Sequence, residues 1–331
     1  MLHTTLCLLF LTVALSSFAC TVFFTRRSIP YLQRLKCGQT ILEIGPSWHK
    51  SKQGTPTMGG VAFLLSSFVI FGIFGVYGAM SFGYPHWNWL LATVCFFYFN
   101  GAIGFLDDYL KVVRKQNQGL RASQKFLLQS LTAIAYLFAM SAMGNFSSRF
   151  PIPFLHTTVD LGFFSYILAF FLITGFINSV NLTDGIDGLA ASVTLIVSAF
   201  FLIAAVLYGN ASLVLVASVF LGACVGFLVF NLHPASIFMG DTGSLFLGAA
   251  VVGMAFLLQN PLILLPVGIV YLLEAVSVIL QVFYFKLFHR RIFKMAPLHH
   301  HFERCGWREQ KIVCVACILT AIFAWIGLLG L

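Results

Sequence analysis

The chain has 331 residues, of which 60% are hydrophobic and only 9% charged, and its formal net charge is +9. A soluble domain carries roughly 25% charged residues, so this composition excludes an ordinary water-soluble globule. The positive balance does not imply a nucleic-acid partner, because the basic residues border apolar segments, where anionic membrane lipid is the nearer partner.

Apolar runs of about 17 to 25 residues recur along the whole chain, the length an α-helix needs to cross a hydrocarbon core about 30 Å thick. They predict an all-α integral membrane protein with about ten transmembrane helices. The centres fall near Val13, Leu65, Phe97, Ala133, Ala169, Val197, Val216, Ala250, Val276 and Ile322. No linker, low-complexity tract or repeat interrupts them, so residues 1–331 read as a single polytopic membrane domain. The first run, Leu2 to Phe24, has no Lys or Arg before it and is followed by Arg26 and Arg27. That order is the reverse of a secretory signal peptide and predicts a retained helix with its N-terminus outside.

The basic residues predict the remaining topology, since Lys and Arg accumulate in cytoplasmic loops. Six (Arg26, Arg27, Arg34, Lys36, Lys50, Lys52) precede the second span, and five (Lys111, Arg114, Lys115, Arg121, Lys125) lie between the third and fourth. Seven more (Lys286, Arg290, Arg291, Lys294, Arg304, Arg308, Lys311) lie between the ninth and tenth, leaving only Arg149 of the 19 on the opposite side. Both termini are therefore expected on the periplasmic side. The polar loops, and with them any active site, are expected on the cytoplasmic face.

The first motif in chain order, Lys52-Gln-Gly-Thr-Pro-Thr57-Met-Gly59-Gly60, superficially suggests a phosphate loop. Gly60 and Val61 stand where a Walker sequence needs Lys and Ser or Thr, so it is not an ATPase loop. Next come Asp107, Asp108 and Lys111 at the end of the third span, where one ammonium can partner either carboxylate at helical spacing. A carboxylate at mid-membrane depth costs about 2.5–3.5 kcal/mol, so such groups face water, a partner or a metal. This pair can bind a divalent cation, serve as a proton acceptor, or simply solvate a helix end.

The outside loop from Asn145 to Asp160, with Pro151 and Pro153, is long enough for a short hairpin or an interfacial segment. Asn181, Asp184 and Asp187 then recur at threes, which aligns them along one face of a helical turn, with Gly185 and Gly188 admitting close approach. Gly and Asp are also ordinary turn residues. Gly222-x-x-x-Gly226 permits close helix contact, either inside the bundle or at the face of a homodimer.

Asn231-Leu-His233-Pro leads into Phe238-Met-Gly240-Asp241, which places one carboxylate at a helix start accessible to phosphate or metal. Phe238 could stack on a base or pack against a helix. In Pro297-Leu-His299-His300-His301-Phe-Glu303 the imidazoles fit hydrogen bonding to phosphate or substrate better than a zinc site, which uses spaced ligands. Cys314 and Cys317 sit inside an apolar helix and read as small packing residues rather than a redox pair.

Taken together and in this order, these motifs resemble the polyprenyl-phosphate N-acetylhexosamine-1-phosphate transferase superfamily over nearly the whole chain. The Gly-Thr-Pro-Thr-Met-Gly-Gly and Pro-Leu-His-His-His-Phe-Glu segments resemble the branch that acts on UDP-N-acetylmuramoyl-pentapeptide. The resemblance implies an Mg²⁺-dependent enzyme that transfers phospho-N-acetylmuramoyl-pentapeptide to undecaprenyl phosphate, giving a lipid-linked sugar diphosphate and UMP. It assigns Asp241 to the metal, Asp107 to activation of the lipid phosphate, and Asp108 and Lys111 to support. Asn181, Asp184, Asp187, Asn231 and Phe238 would line the uridine and ribose pocket. Lys52, Thr57, Lys125, His299, His300 and His301 would contact phosphates or the donor sugar, with His300 counted among the catalytic residues. A relative using UDP-N-acetylglucosamine would share the aspartates, though the His triplet argues against it. A transporter or flippase would show matching halves with broken helices, and no such repeat is visible.

Overall fold

In hydrocarbon each backbone amide must be satisfied within its own segment, so the long uncharged runs fold as helices. The computed structural model describes residues 2–35, 54–77, 80, 87–114, 116, 118–155 and 157–331, with side chains described from residue 8 onward. Lys36, Lys50, Lys52 and Lys115 lie outside the described residues.

Eleven helices of seven residues or more follow one another: α1 (Leu2–Arg34), α2 (Gly60–Ile70), α3 (Trp87–Arg114), α4 (Ala122–Ala142), α5 (Phe164–Thr183), α6 (Leu189–Leu207), α7 (Ala211–Asn231), α8 (Gly240–Leu257), α9 (Ile269–Phe288), α10 (Leu298–Arg304) and α11 (Glu309–Leu329). Among the described residues nine of them are long and apolar enough to cross a membrane, all except α2 and α10, so this is a multi-pass membrane protein. The expected span around Leu65 is an 11-residue helix continued by the π-helical turn Phe71–Gly75. The helix runs on through Val76 and Tyr77, where the described residues break off.

The loop between α4 and α5 forms an antiparallel hairpin of β1 (Arg149–Ile152) and β2 (Thr157–Asp160), with Arg149 opposite Asp160. Its tip reaches the C-terminus, where the Phe154 amide donates to the Gly330 carbonyl.

The helices are layered by burial. α8 is the centre, with 89% of its span buried, and α6 and α7 are also mostly enclosed, whereas α4, α9 and α11 turn most of their surface outward. Phe68, Phe138, Phe171, Phe283 and Trp325 on outer helices are exposed, as expected for a surface facing lipid. Inside, Phe63, Phe97, Phe220, Phe227 and Phe246 join α2, α3, α7 and α8 through ring contacts such as Phe63–Phe227 at 4.7 Å and Phe220–Phe246 at 5.4 Å.

Small residues set the closest approaches. A Cβ on Gly222 would collide with the Ala14 carbonyl, and one on Gly226 would lie 2.8 Å from the Phe18 carbonyl. The Gly-x-x-x-Gly face of α7 is therefore filled by α1 of the same chain. Gly104 of α3 likewise admits the Asp241 carbonyl, and Gly60 of α2 admits Gly243. These contacts draw the start of α8 between α2 and α3, and that wedge positions the acidic centre.

Candidate active site

Asp107 and Asp108 lie two turns before the end of α3, exposed by only 3% and 2%. Buried carboxylates need partners, since an uncompensated buried charge costs several kcal/mol. Asp107 Oδ1 accepts the Leu120 amide at 2.8 Å, and its Oδ2 lies 2.6 Å from Lys111 Nζ. The same ammonium is 2.7 Å from Asp241 Oδ2 and 3.5 Å from Asp108 Oδ1. Lys111 thus marks the point where the negative potential of three carboxylates converges.

Asp108 has a different task. Its Oδ1 accepts the Asp241 amide at 3.2 Å, and its Oδ2 accepts the Thr242 amide at 2.9 Å and the Thr242 hydroxyl at 2.7 Å. It therefore caps the N-terminus of α8 from a neighbouring helix, satisfying amides that have no partner within their own helix. Gly240 precedes these amides at φ +72°, a left-handed conformation, and a Cβ there would lie 2.6 Å from Asp108 Oδ2 and 3.0 Å from Thr57 Oγ1. The segment before α2 holds this turn by its backbone: Phe238 donates to Pro56, Gly59 to Phe238 and Gly60 to Met239, each at 2.8 Å. The Gly-Thr-Pro-Thr-Met-Gly-Gly motif is thus a clip for the start of α8. Thr57 and Phe238 stand half-buried beside it.

From the other side Asn181, at the end of α5, donates to Asp241 Oδ1 and to Ser244 Oγ, both at 2.7 Å. Lys125 of α4 reaches Asn181 Oδ1 at 3.3 Å and Asp241 Oδ2 at 3.2 Å. Asp241 consequently has two ammonium groups and one amide around it.

The chain after Asn181 turns through Asp184, which lies outside the spanning segments. Burial, reinforced by the charges of Asp241, Asp108 and Asp187, pushes its carboxyl up to about 8. Asp187 is buried, and its Oδ2 accepts the Ala235 amide at 3.1 Å and meets His233 Nδ1 at 3.0 Å. Its own amide donates to Glu309 Oε2 at 3.3 Å. Asn231 accepts the Gly188 amide at 3.1 Å and donates to the Ile237 carbonyl at 2.8 Å. Asp187 and Asn231 thus bind the loop after α5, which carries Asp184, to the loop before α8, which carries Phe238.

The three histidines on α10 diverge. His299 is buried against Gly185 and meets Glu274 Oε2 of α9 through Nδ1 at 3.1 Å. His300 Nδ1 lies 2.7 Å from Glu303 Oε2. His301 accepts the Lys294 amide at 3.1 Å and turns toward Phe293. His299 of the triplet touches the turn that carries Asp184.

Asp107, Asp108 and Asp241 each offer an oxygen within 4.8 Å of the other two. This all-oxygen set with an excess of negative charge fits a hard divalent cation. Buried carboxylates paired with lysines thus gather at one end of a membrane helix bundle, the arrangement of a candidate metal-dependent site.

Residues 89–259 match glycosyl transferase family 4, and residues 52–64 match phospho-N-acetylmuramoyl-pentapeptide-transferase signature 1. The phospho-N-acetylmuramoyl-pentapeptide-transferase of Caldanaerobacter subterraneus subsp. tengcongensis is 45% identical over 318 residues, covering 96% of this chain and 97% of its own. That of Clostridium novyi is 46% identical over 92% of this chain and 91% of its own, and that of Clostridioides difficile 41% over 96% of each. The chain belongs to glycosyl transferase family 4, within its phospho-N-acetylmuramoyl-pentapeptide-transferase branch.

The sequence places His233 and Ser244 within a motif without giving either a role, and Thr242, Glu274 and Glu309 are not singled out by it. For Glu274 a signal existed, since it is the one acidic residue within an otherwise apolar span.

Proposed function

We propose that this protein transfers phospho-N-acetylmuramoyl-pentapeptide from UDP-N-acetylmuramoyl-pentapeptide to undecaprenyl phosphate. The products are the lipid-linked sugar diphosphate and UMP, and the reaction runs at the cytoplasmic face of the bacterial inner membrane. The observation that carries this reading is the meeting of Asp107 and Lys111 with Asp241, Lys125 and Asn181 in a chain of this family. The whole chain, 1–331, acts as one domain with both termini outside, a reading supported by 18 of its 19 basic residues sharing one loop parity.

In the transfer an oxygen of the lipid phosphate bonds to the sugar-bearing phosphorus of the donor, and the bond from that phosphorus to the UMP oxygen breaks. Such a reaction needs positioning and charge neutralisation more than covalent machinery. Asp107, at the mouth of α3, takes the proton of the acceptor phosphate where it carries one and orients it. Lys111 and Lys125 draw the donor diphosphate toward Asp241, while Asp108 holds the start of α8. Asp184, Phe238 and the loops tied by Asp187 and Asn231 enclose uridine and ribose. Lys52, Thr57, His299, His300 and His301 serve the phosphates and sugar. Asp241 would hold Mg²⁺, with Asp107 and Asp108 as the nearest further carboxylates, and a bound Mg²⁺ supplies neutralisation of the diphosphate.

The test is UMP release by the purified protein. Release is expected from UDP-N-acetylmuramoyl-pentapeptide in Mg²⁺, scarcely from UDP-N-acetylglucosamine, and not in excess EDTA. Asp107→Asn should lower turnover about 10²-fold or more, the usual scale for a lost proton acceptor. Efficient use of the glucosamine donor overturns the donor assignment, and full activity in EDTA overturns the metal assignment.

A further inference from the structure

Glu274 stands six residues into α9, in a span otherwise free of charge until Lys286, and is only 6% exposed. A carboxylate at such a depth is costly and is retained where it has a partner and a task. The partner is in the basic loop that follows the span. Glu274 Oε2 accepts the backbone amide of His299 at 3.3 Å and lies 3.1 Å from His299 Nδ1.

A carboxylate can only accept, so this contact places the ring proton on Nδ1 and turns Nε2 away from α9. The ring is held on two further sides. The tilted His300 ring lies 4.2 Å away between centroids, and Nε2 faces Gly185, where any side chain would collide with it. His299 is 1% exposed, yet Nε2 has no hydrogen-bond partner. Buried polar atoms are almost always paired, so an unpaired one set against the turn that carries Asp184 calls for a partner the protein itself does not supply. The turn it faces follows the last turn of α5, where the Asn181 amide grips Asp241, and includes Asp184.

We infer that Glu274 is a positioning residue: it holds the imidazole of His299 with Nδ1–H inward, so that Nε2 meets a polar group of the bound donor at the Asp184–Gly185 turn. This rests on the donor reading proposed above. The carboxylate acts at a distance from the reacting phosphorus and touches the substrate only through the ring it orients. A neutral amide of the same length in its place still offers an oxygen that accepts from Nδ1–H, so it is the acceptor and its reach, which a leucine lacks, that specify the tautomer and the ring position.

The experiment has two arms. In steady-state turnover, Glu274→Leu should reduce kcat/KM for UDP-N-acetylmuramoyl-pentapeptide roughly tenfold or more, with the KM for undecaprenyl phosphate unchanged, while Glu274→Gln stays within about threefold of the parent. In the double variant Glu274→Leu with His299→Ala, the loss should equal that of His299→Ala alone, because the two act as a unit. Losses that multiply instead would reduce Glu274 to general packing and overturn the inference. So would an unaffected Glu274→Leu enzyme.

The second arm needs no turnover. In ¹⁵N-histidine-labelled protein in lipid nanodiscs, the His299 signal, assigned by its disappearance in His299→Ala, should report protonation at Nδ1. That pattern should persist in Glu274→Gln and be lost in Glu274→Leu. A ring protonated at Nε2 alone, or a spectrum indifferent to Glu274→Leu, overturns the inference. A parent protein that releases no UMP from its donor would defeat the functional reading, and the spectra would still decide whether Glu274 holds His299.

Discussion

Adjacent aspartates on α3 are given unlike work by where their oxygens point. Asp107 faces Lys111 and the loop amide of Leu120, whereas Asp108 faces the first amides of α8. Asp184 adds a dependence on pH. Its carboxyl, raised to about 8 by burial and by the nearby charges of Asp241, Asp108 and Asp187, holds its proton in the folded protein at neutral pH. A raised folded value means that its contribution to stability is complete below the ordinary carboxylate range and is lost as pH rises toward and through 8. Asp184→Asn imitates the protonated acid and removes that dependence. Thermal unfolding of both proteins should show the variant gaining on the parent steadily between pH 5 and pH 9, with solvent screening the half-buried group in part. A difference in Tm that does not move with pH refutes the assignment. The candidate carboxylates were legible in sequence because five of the ten acidic residues border apolar spans. That Asp108 caps α8 was not legible, because its partner Thr242 is 134 residues away.

Helices in lipid gain nothing from hiding apolar surface from one another, so their contacts depend on shape and on small residues. α1 and α7 meet where Gly222 and Gly226 expose backbone, and α3 meets α8 where Gly104 does. Gly222→Leu should therefore force α1 away from α7 and lower the Tm of the purified protein, since overpacking of this kind costs about 1–3 kcal/mol. Gly175→Leu on α5 is the control, because a side chain there meets open space. Equal Tm values for the two variants would mean that α1 does not seat on this face. The spacing of Gly222 and Gly226 was visible in the sequence and allowed either a homodimer or internal packing. Its occupant was decided by α1, which begins more than two hundred residues earlier in the chain.

Across the whole molecule the acidic centre and the β-hairpin lie at opposite ends of the long helices, with the C-terminus beside the hairpin. If the basic loops are cytoplasmic, a single cysteine at Ser123 in a background without native cysteines should react with a membrane-impermeant thiol reagent from the cytoplasmic side. One at Ser147 should react from outside; both positions are exposed. Reversed labelling would invert the topology and move the site with it. What the sequence alone determined was the membrane class, most of the spans, the sidedness expectation and the residue types of the site. Span length, charge order and motif spacing are properties of neighbouring residues, and the bilayer reads them directly. What only the tertiary structure decided was which groups meet. Lys111 and Asp241 are 130 residues apart, and Glu274 and His299 are 25 apart. Such meetings depend on how close two backbones can come and on which buried amide lacks a partner, and neither is written in the residues on one side of the contact.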